Sequence, residues 1–372
     1  MTTRLNPRDA TFPRLAADAI AEGNLLPDSN SLIPLVVAVS GGPDSMALLH
    51  FLIAWAKGAE RSGSRGESRP RRVIAAHVNH ALRGAASEED AGFVAARAAE
   101  WGAESVILEA EIPPRARTRA AAGAAVEAEA RRARYAALRE IAARAGADRV
   151  VTAHTADDQA ETVLLRLVRG AGLRGLSGMA PLSRVQGIRV ARPLLAVSRE
   201  QVLEYVRHHA IPYRTDGTNA ETAAARNYVR HEIVPRLEAR LNPAVREALL
   251  RAGSNFREAD SYFERRAARI FKRLLLEQDE GKISLDAPGL LLYPKILRTY
   301  VFRRAVRELN GNLRDVATVH VRALHEMALA HRGHVTDLPG GMRAERDRDR
   351  VVLSLLRPRK TEPKPQREPS KA

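Results

Sequence analysis

Cysteine is absent from all 372 residues. That removes disulfides, thiolate metal sites and cysteine nucleophiles together. No apolar run approaches the roughly 20 residues of a membrane-spanning helix, and Met1 to Asp9 lacks the apolar core of a signal peptide. A cytoplasmic protein with no membrane partner is expected. Internal repeats are missing as well. Negative charge is scarce: 44 Asp and Glu face 60 Lys and Arg, for a net charge of +16 and a pI near 10.8. Such an excess favours a polyanionic partner, since each Lys or Arg set against a phosphate releases counterions, although part of it is an Arg-rich bias. The length leaves room for two domains, or one large one with an appendage.

What is present is organised around residues 35 to 55. An apolar β-branched run, Leu35 to Val39, stops at Ser40-Gly41-Gly42-Pro43-Asp44-Ser45, and a helix-period stretch begins at Met46. The pattern reads as strand, tight glycine turn and helix N-terminus. Glycines let backbone amides approach a ligand, and the first-turn amides carry the positive end of the helix dipole, so the turn suits phosphate. A glycine turn can also serve packing alone. Ser40 and Ser45 add hydroxyl donors, while Asp44 puts a carboxylate where anion binding alone would not want one; a magnesium ion between it and the phosphates would account for it. The lysine of a Walker loop is missing. Ser-Gly-Gly-x-Asp-Ser instead resembles the PP-loop of the ATP pyrophosphatases, which split ATP between the α and β phosphates.

Further along, the pattern predicts a helix over Phe12 to Glu22, a Gly, Ser and Arg-rich loop over Lys57 to Arg72, and strands at Val73 to Val78, Ser105 to Leu108 and Arg149 to Ala153. Helices from Ser87 to Gly102 and from Ala125 to Ala145 alternate with them, and Glu111 to Ala124 reads as loop. This alternation implies a parallel sheet with right-handed crossovers, whose ligands gather at the carboxyl ends of the strands. Ser40, His77 and His154 fall there. A helix to Val168, a basic glycine-studded loop over Arg169 to Arg184, an edge strand over Ile188 to Ala191, a helix over Arg199 to His209 and a loop over Ile211 to Asn219 follow. The expected architecture is an α/β PP-loop domain, residues 1–225, and a mainly helical domain, 226–356, ending in a short β segment. A disordered basic tail, 357–372, completes it.

In His154 to Thr162, Thr155 followed three residues later by Asp158 matches a capping box, and acids in a first turn suit the dipole. Capping leaves His154 and Glu161 unexplained. Asp157, Asp158 and Glu161 could instead bind magnesium and a cationic amine. His77 and His80 lack the further ligands of a metal site, and Glu127, Arg131 and Arg134 read equally as an ion-pair ladder on an Ala-rich helix.

Together these segments resemble the tRNA(Ile)-lysidine synthetase family. The resemblance rests on Ser40 to Ser45, His77-Val-Asn-His80 with Leu82-Arg83-Gly84, Ser87 and Asp90, and Glu127 to Tyr135. It continues through His154 to Thr162, Leu164 to Met179, Arg192-Pro-Leu-Leu195, Ile211-Pro-Tyr with Asp216 and Asn219, Arg226-Asn-Tyr-Val-Arg230 and Leu338-Pro-Gly-Gly341. The resemblance implies ATP-dependent adenylation of the wobble cytidine of a CAU-anticodon tRNA(Ile). Free L-lysine then displaces AMP. It implies ATP and magnesium at Ser40, Gly41, Gly42, Pro43, Asp44 and Ser45, with His77 and His154 at the nucleotide, and lysine held by Asp158, Glu161 and the basic pair Arg131 and Arg134. Catalysis falls to Asp44, Asp158 and Glu161, tRNA contacts to Arg83, Arg169, Arg174, Arg226 and Arg230, and a homodimer is compatible with it. Family members often carry a further C-terminal domain, so this chain resembles the shorter forms. Another PP-loop RNA-modifying enzyme and a non-catalytic RNA-binding protein stand as alternatives. Thiolases of this class employ cysteines, and a binding module would leave Asp44, His154, Asp158 and Glu161 without a purpose.

Overall fold

Leu35, Val36 and Val37 form β1 (Leu35–Ala38) and are buried on both faces, as a strand covered by helices on either side must be. The computed structural model describes residues 11–27, 31–62, 71–79, 85–110, 124–214, 225–313, 315–330 and 332–356. Its chain divides into two units, Met1–Arg257 and Glu258–Ala372.

In the first unit α1 (Phe12–Gly23) precedes β1, and α2 (Pro43–Ser62), β2 (Val73–Asn79), α3 (Ala85–Trp101), β3 (Glu104–Glu109), α4 (Ala124–Ala145), β4 (Arg149–Val151) and α5 (Ala156–Val168) follow it. Then come α6 (Leu173–Leu176), β5 (Leu182–Val185), β6 (Ile188–Ala191) and α7 (Arg199–His208). The sheet order is β3-β2-β1-β4-β6-β5, parallel except for β5. Alternate residues of β1 serve two cores. Leu35, Val37 and Val39 pack with Met46, Leu49 and Leu52 of α2, whereas Val36 packs with Leu138 and Ile141 of α4. The chain steps outward from β1 to β2 and β3, then returns to β4 on the other side of β1. That reversal opens a crevice at the carboxyl ends of β1 and β4, the place where such sheets bind ligands. Val37 pairs with Val151, so Ser40 and His154 each lie three residues beyond the pair.

Several expectations change. Ile188 to Ala191 is not the edge strand: β6 sits between β4 and β5, and β5 forms the edge. The hairpin joining them turns at Gln186 and Gly187, both at positive φ, 50° and 89°, a geometry that Gln-Gly advertises poorly beside Asn-Gly or Asp-Gly. The loop expected from Lys57 begins instead as the last turns of α2, and the basic loop from Arg169 contains α6 and β5. Residues 63–70, 80–84, 111–123, 215–224 and 357–372, which include His80, Arg83, Asp216, Asn219, all but the last residue of the loop expected over Glu111 to Ala124, and the basic tail, lie outside the described residues.

Beyond α7, α8 (Ala225–Tyr228), a five-residue π-helical turn (Val229–Ile233) and α9 (Val234–Arg240) lead into α10 (Val245–Leu274), within which the division into units falls. Residues 226–257 therefore belong to the first unit. The second unit contains more strand than expected. Beside α11 (Ala287–Leu291), α12 (Lys295–Asn310) and α13 (Thr318–Leu329) it holds β7 (Leu275–Asp279), β8 (Lys282–Asp286), β9 (Val335–Leu338), β10 (Met342–Asp347) and β11 (Arg350–Leu355). These form one antiparallel sheet, β7-β8-β11-β10-β9. Its core gathers Phe271, Leu285, Val301, Phe302, Leu324, Met327 and Leu353. β8 was hidden because its partner β11 lies far along the chain, and β7 is an exposed edge with little alternation to read.

Candidate active site

The turn after β1 is held by its own two serines. Ser45 Oγ donates to the Gly42 carbonyl (2.9 Å) and accepts from the Ser40 amide (3.1 Å), and the Ser40 hydroxyl lies 3.2 Å from it. Gly41 sits at φ +88°, which a side chain would strain although there is space for one. Its carbonyl accepts from the Arg214 amide (2.9 Å). Pro43 opens α2, where its missing N–H costs nothing. The amides of the following turn have no intrahelical acceptor and face outward from the positive end of the dipole.

Asp44 is the anomaly in this turn. Its Oδ1 is buried without a hydrogen-bond partner, and burial pushes its carboxyl up to about 6, against the pull of Arg199. The Arg199 guanidinium stands 3.6 Å from Oδ2, an ion pair too long for a hydrogen bond. An oxygen that lacks a partner at the start of a helix, where first-turn amides lack intrahelical acceptors, fits a divalent cation next to phosphate. Among the described residues no three His, Cys, Asp or Glu cluster as a metal site by themselves.

The first turn of α5 is opposite in character. The capping box is present: the Thr155 amide donates to Asp158 Oδ2 (2.9 Å), and the Asp158 amide donates to Thr155 Oγ1 (3.4 Å). Capping takes only one oxygen of Asp158. Oδ1 accepts from Arg230 (2.9 Å), and Glu161, fully buried, accepts from Arg230 (2.6 Å) and Arg226 (2.8 Å). Burial pushes the Asp158 carboxyl up, but Arg226, the Thr155 amide and Arg230 outweigh it and hold the group below its ordinary range. Burial likewise disfavours the charge on Arg230, and Glu161, Asp158 and Asp44 reverse the effect and raise it. Asp157 faces another way, accepting from Arg246 (2.8 Å) and from the Arg199 amide (2.8 Å). The three acids are thus brought together, and each has a guanidinium or amide partner.

His77 and His154 flank the crevice. The carbonyl of Val39 can only accept, so His77 Nδ1 donates to it (2.9 Å) and leaves Nε2 as an acceptor; burial lowers the pKa of the ring. His154 Nδ1 pairs with Thr152 Oγ1 (2.9 Å). Burial, joined by Arg192, Arg226 and Arg131, pushes His154 far down against the pull of Asp158, so it is neutral at pH 7. Arg131 stacks on the Tyr135 ring, 5.0 Å from its centroid, and Arg134 is exposed on the same helix. Arg169 and Arg174 are exposed. Arg226 and Arg230 are instead half-buried against α5. Sequence reasoning missed Arg199, Arg246 and Arg257. The last donates to the carbonyls of Ser177 and Met179 and fixes the turn after α6. Only the Ser198-to-Gln201 capping pattern, which places Arg199 at a helix start, was there to be read.

This fold and its glycine turn define a class. The model of the PP-loop domain family matches residues 20–237, and the chain belongs to that family. Within it, the chain is similar to curated tRNA(Ile)-lysidine synthases. It is 35% identical to that of Geobacter sulfurreducens over 326 residues, covering 88% of this chain and 65% of the relative. Identity is 36% to those of Solibacter usitatus (82% of this chain, 64% of the relative) and Symbiobacterium thermophilum (83% and 62%). The chain therefore spans a little under two thirds of the length of these relatives.

Proposed function

We propose that the chain ligates free L-lysine to C2 of the wobble cytidine of CAU-anticodon tRNA(Ile), consuming ATP and giving lysidine, AMP and pyrophosphate. The observation that carries this reading is the pairing, across one crevice, of a phosphate-binding turn with a partner-poor carboxylate and an acidic helix start, in a chain 35% identical to a tRNA(Ile)-lysidine synthase. Ser40 to Ser45 would hold the ATP phosphates, with His77 and His154 at the nucleotide. Magnesium held by Asp44 would supply positive charge to the phosphates. The cytidine O2 would bond to the α-phosphorus as pyrophosphate leaves, and the lysine amine would then attack C2 as AMP leaves.

Asp158 and Glu161 would receive the lysine ammonium in exchange for a guanidinium of Arg226 or Arg230, one cation replacing another at little electrostatic cost. The depressed pKa of Asp158 suits it to binding the ammonium better than to accepting its proton. Arg131 and Arg134 would meet the lysine carboxylate. Arg83, Arg169 and Arg174 would meet tRNA phosphates, and Arg226 and Arg230 would do so only by leaving α5. Under this reading residues 1–225 are catalytic and 226–356 bind tRNA. No helix among the described residues is long and apolar enough to cross a membrane. We place the reaction in the cytoplasm, and light scattering would read whether the chain forms a homodimer.

The test is incorporation of labelled lysine into a CAU-anticodon tRNA(Ile) transcript with ATP and magnesium. Incorporation is expected to require ATP, to vanish when the wobble C becomes U, and to fall at least about a hundredfold in Asp44→Ala. Pyrophosphate release without lysine attachment would reject the lysine assignment.

A further inference from the structure

The PP-loop lacks the lysine that Walker loops bring to the β and γ phosphates, and its own donors are neutral amides and hydroxyls. A triphosphate seated there would leave charge uncompensated beyond what one divalent cation neutralises. Among the described residues the cation within ion-pair distance of Asp44 is Arg199. Its backbone is fixed three ways: Ser198 caps α7 with Gln201, the Arg199 amide donates to Asp157 Oδ2 (2.8 Å), and the Ala156 amide holds the Val197 carbonyl (2.9 Å). Its side chain is held loosely: it is 44% exposed and its contact with Asp44 is 3.6 Å, whereas Arg226 and Arg230 hold the buried Glu161 at 2.8 and 2.6 Å. Among the described residues no other cation lies within ion-pair distance of Asp44.

We infer that Arg199 is a phosphate-binding residue of this site, which pairs loosely with Asp44 when the site is empty and moves to the β,γ-pyrophosphate oxygens when nucleotide and a divalent cation arrive. The inference rests on the PP-loop being the ATP site, and adds the residue that substitutes for the Walker lysine. In the transfer step the attacking oxygen bonds to the α-phosphorus. The bond from that phosphorus to the α,β-bridging oxygen breaks, and its electron pair leaves with pyrophosphate. A planar guanidinium suits that growing charge, because it can meet two oxygens at once. A tethered backbone with an exposed, loosely paired side chain is the arrangement such an exchange requires.

The experiment measures binding of magnesium pyrophosphate and of AMP to the full chain by calorimetry, for wild type, Arg199→Ala and Arg199→Lys. Arg199→Ala is expected to weaken pyrophosphate about tenfold or more, to leave AMP within about twofold, and to be partly restored by Arg199→Lys. Equal weakening of both ligands, or no change in either, overturns the inference while the PP-loop reading stands. A wild-type chain that binds neither ATP nor pyrophosphate overturns both.

Discussion

Asp44 and Glu161 are carboxylates on α2 and α5, the helices that follow the neighbouring strands β1 and β4, and they are treated in opposite ways. Glu161 is fully buried and accepts hydrogen bonds from two arginines. Asp44 keeps one buried oxygen with no partner and a single loose cation. A satisfied buried ion pair contributes little beyond what it costs to bury, yet losing one member is expensive, because the other charge is stranded. An unsatisfied carboxylate is a standing cost that a bound cation relieves. The α5 cluster is thus built to hold the chain together and to trade one cation for another, and the PP-loop to bind one more.

Breaking the satisfied cluster should have the largest effect. Glu161→Ala leaves Arg226 and Arg230 to share the single carboxylate of Asp158 and should destabilise the chain by about 3 kcal/mol in urea unfolding; a loss below about 1 kcal/mol would show that Asp158 alone satisfies both arginines. The second unit supplies a buried group with an unmet atom of its own. His325 is 5% exposed, shares a 2.9 Å contact between Nε2 and Thr299 Oγ1, and has no partner at Nδ1. Burial, with Arg298 and Lys295, lowers it from 6.5 to about 4. Between those values the unfolded chain binds the extra proton, so stability is full above pH 6.5 and falls as pH drops toward 4. The loss should reach about 2–3 kcal/mol, and His325→Gln should flatten that part of the pH profile.

Asp44→Asn should act with the opposite sign and more weakly. The Asp44 carboxyl titrates at 3.8 unfolded and about 6 folded, so in that interval the folded chain holds the extra proton. Its contribution favours folding at low pH and is lost as pH rises through 6. Without magnesium, Asp44→Asn should be about 1–2 kcal/mol more stable than wild type at pH 8 and equal to it below pH 4, although inactive. The smallest effect belongs to the exposed pair Arg72 and Glu104, with contacts of 2.6 and 2.7 Å. Its geometry matches the Glu161 pairs but its setting is solvent, and Glu104→Gln should leave the unfolding midpoint unchanged. A clear shift there would mean that geometry outweighs burial, against the contrast drawn between Asp44 and Glu161.

Legibility from sequence followed sequence separation. The PP-loop and the Thr155-to-Asp158 capping box were readable because every partner lies within five residues. The alternating strands and helices gave the parallel sheet, since each element declares its own period. The bonds from Arg226 and Arg230 to α5 span 64 to 72 residues, and nothing in Arg226-Asn-Tyr-Val-Arg230 states where its guanidiniums point. The antiparallel sheet of the second unit was similarly hidden, because β8 finds β11 only after three helices and a hairpin have intervened.

The sequence by itself determined the strand, the glycine turn and the helix start that make a phosphate nest, because those depend on backbone freedom and local hydrogen bonds. It also set the absence of cysteine and the excess of positive charge. Tertiary structure decided which charges are spent and which remain available. The approach of distant arginines compensates the charges of Asp158 and Glu161, while among the described residues the fold brings only the long reach of Arg199 within ion-pair distance of Asp44. Desolvation and pairing depend on what packs around a group, and no local pattern of residues records that.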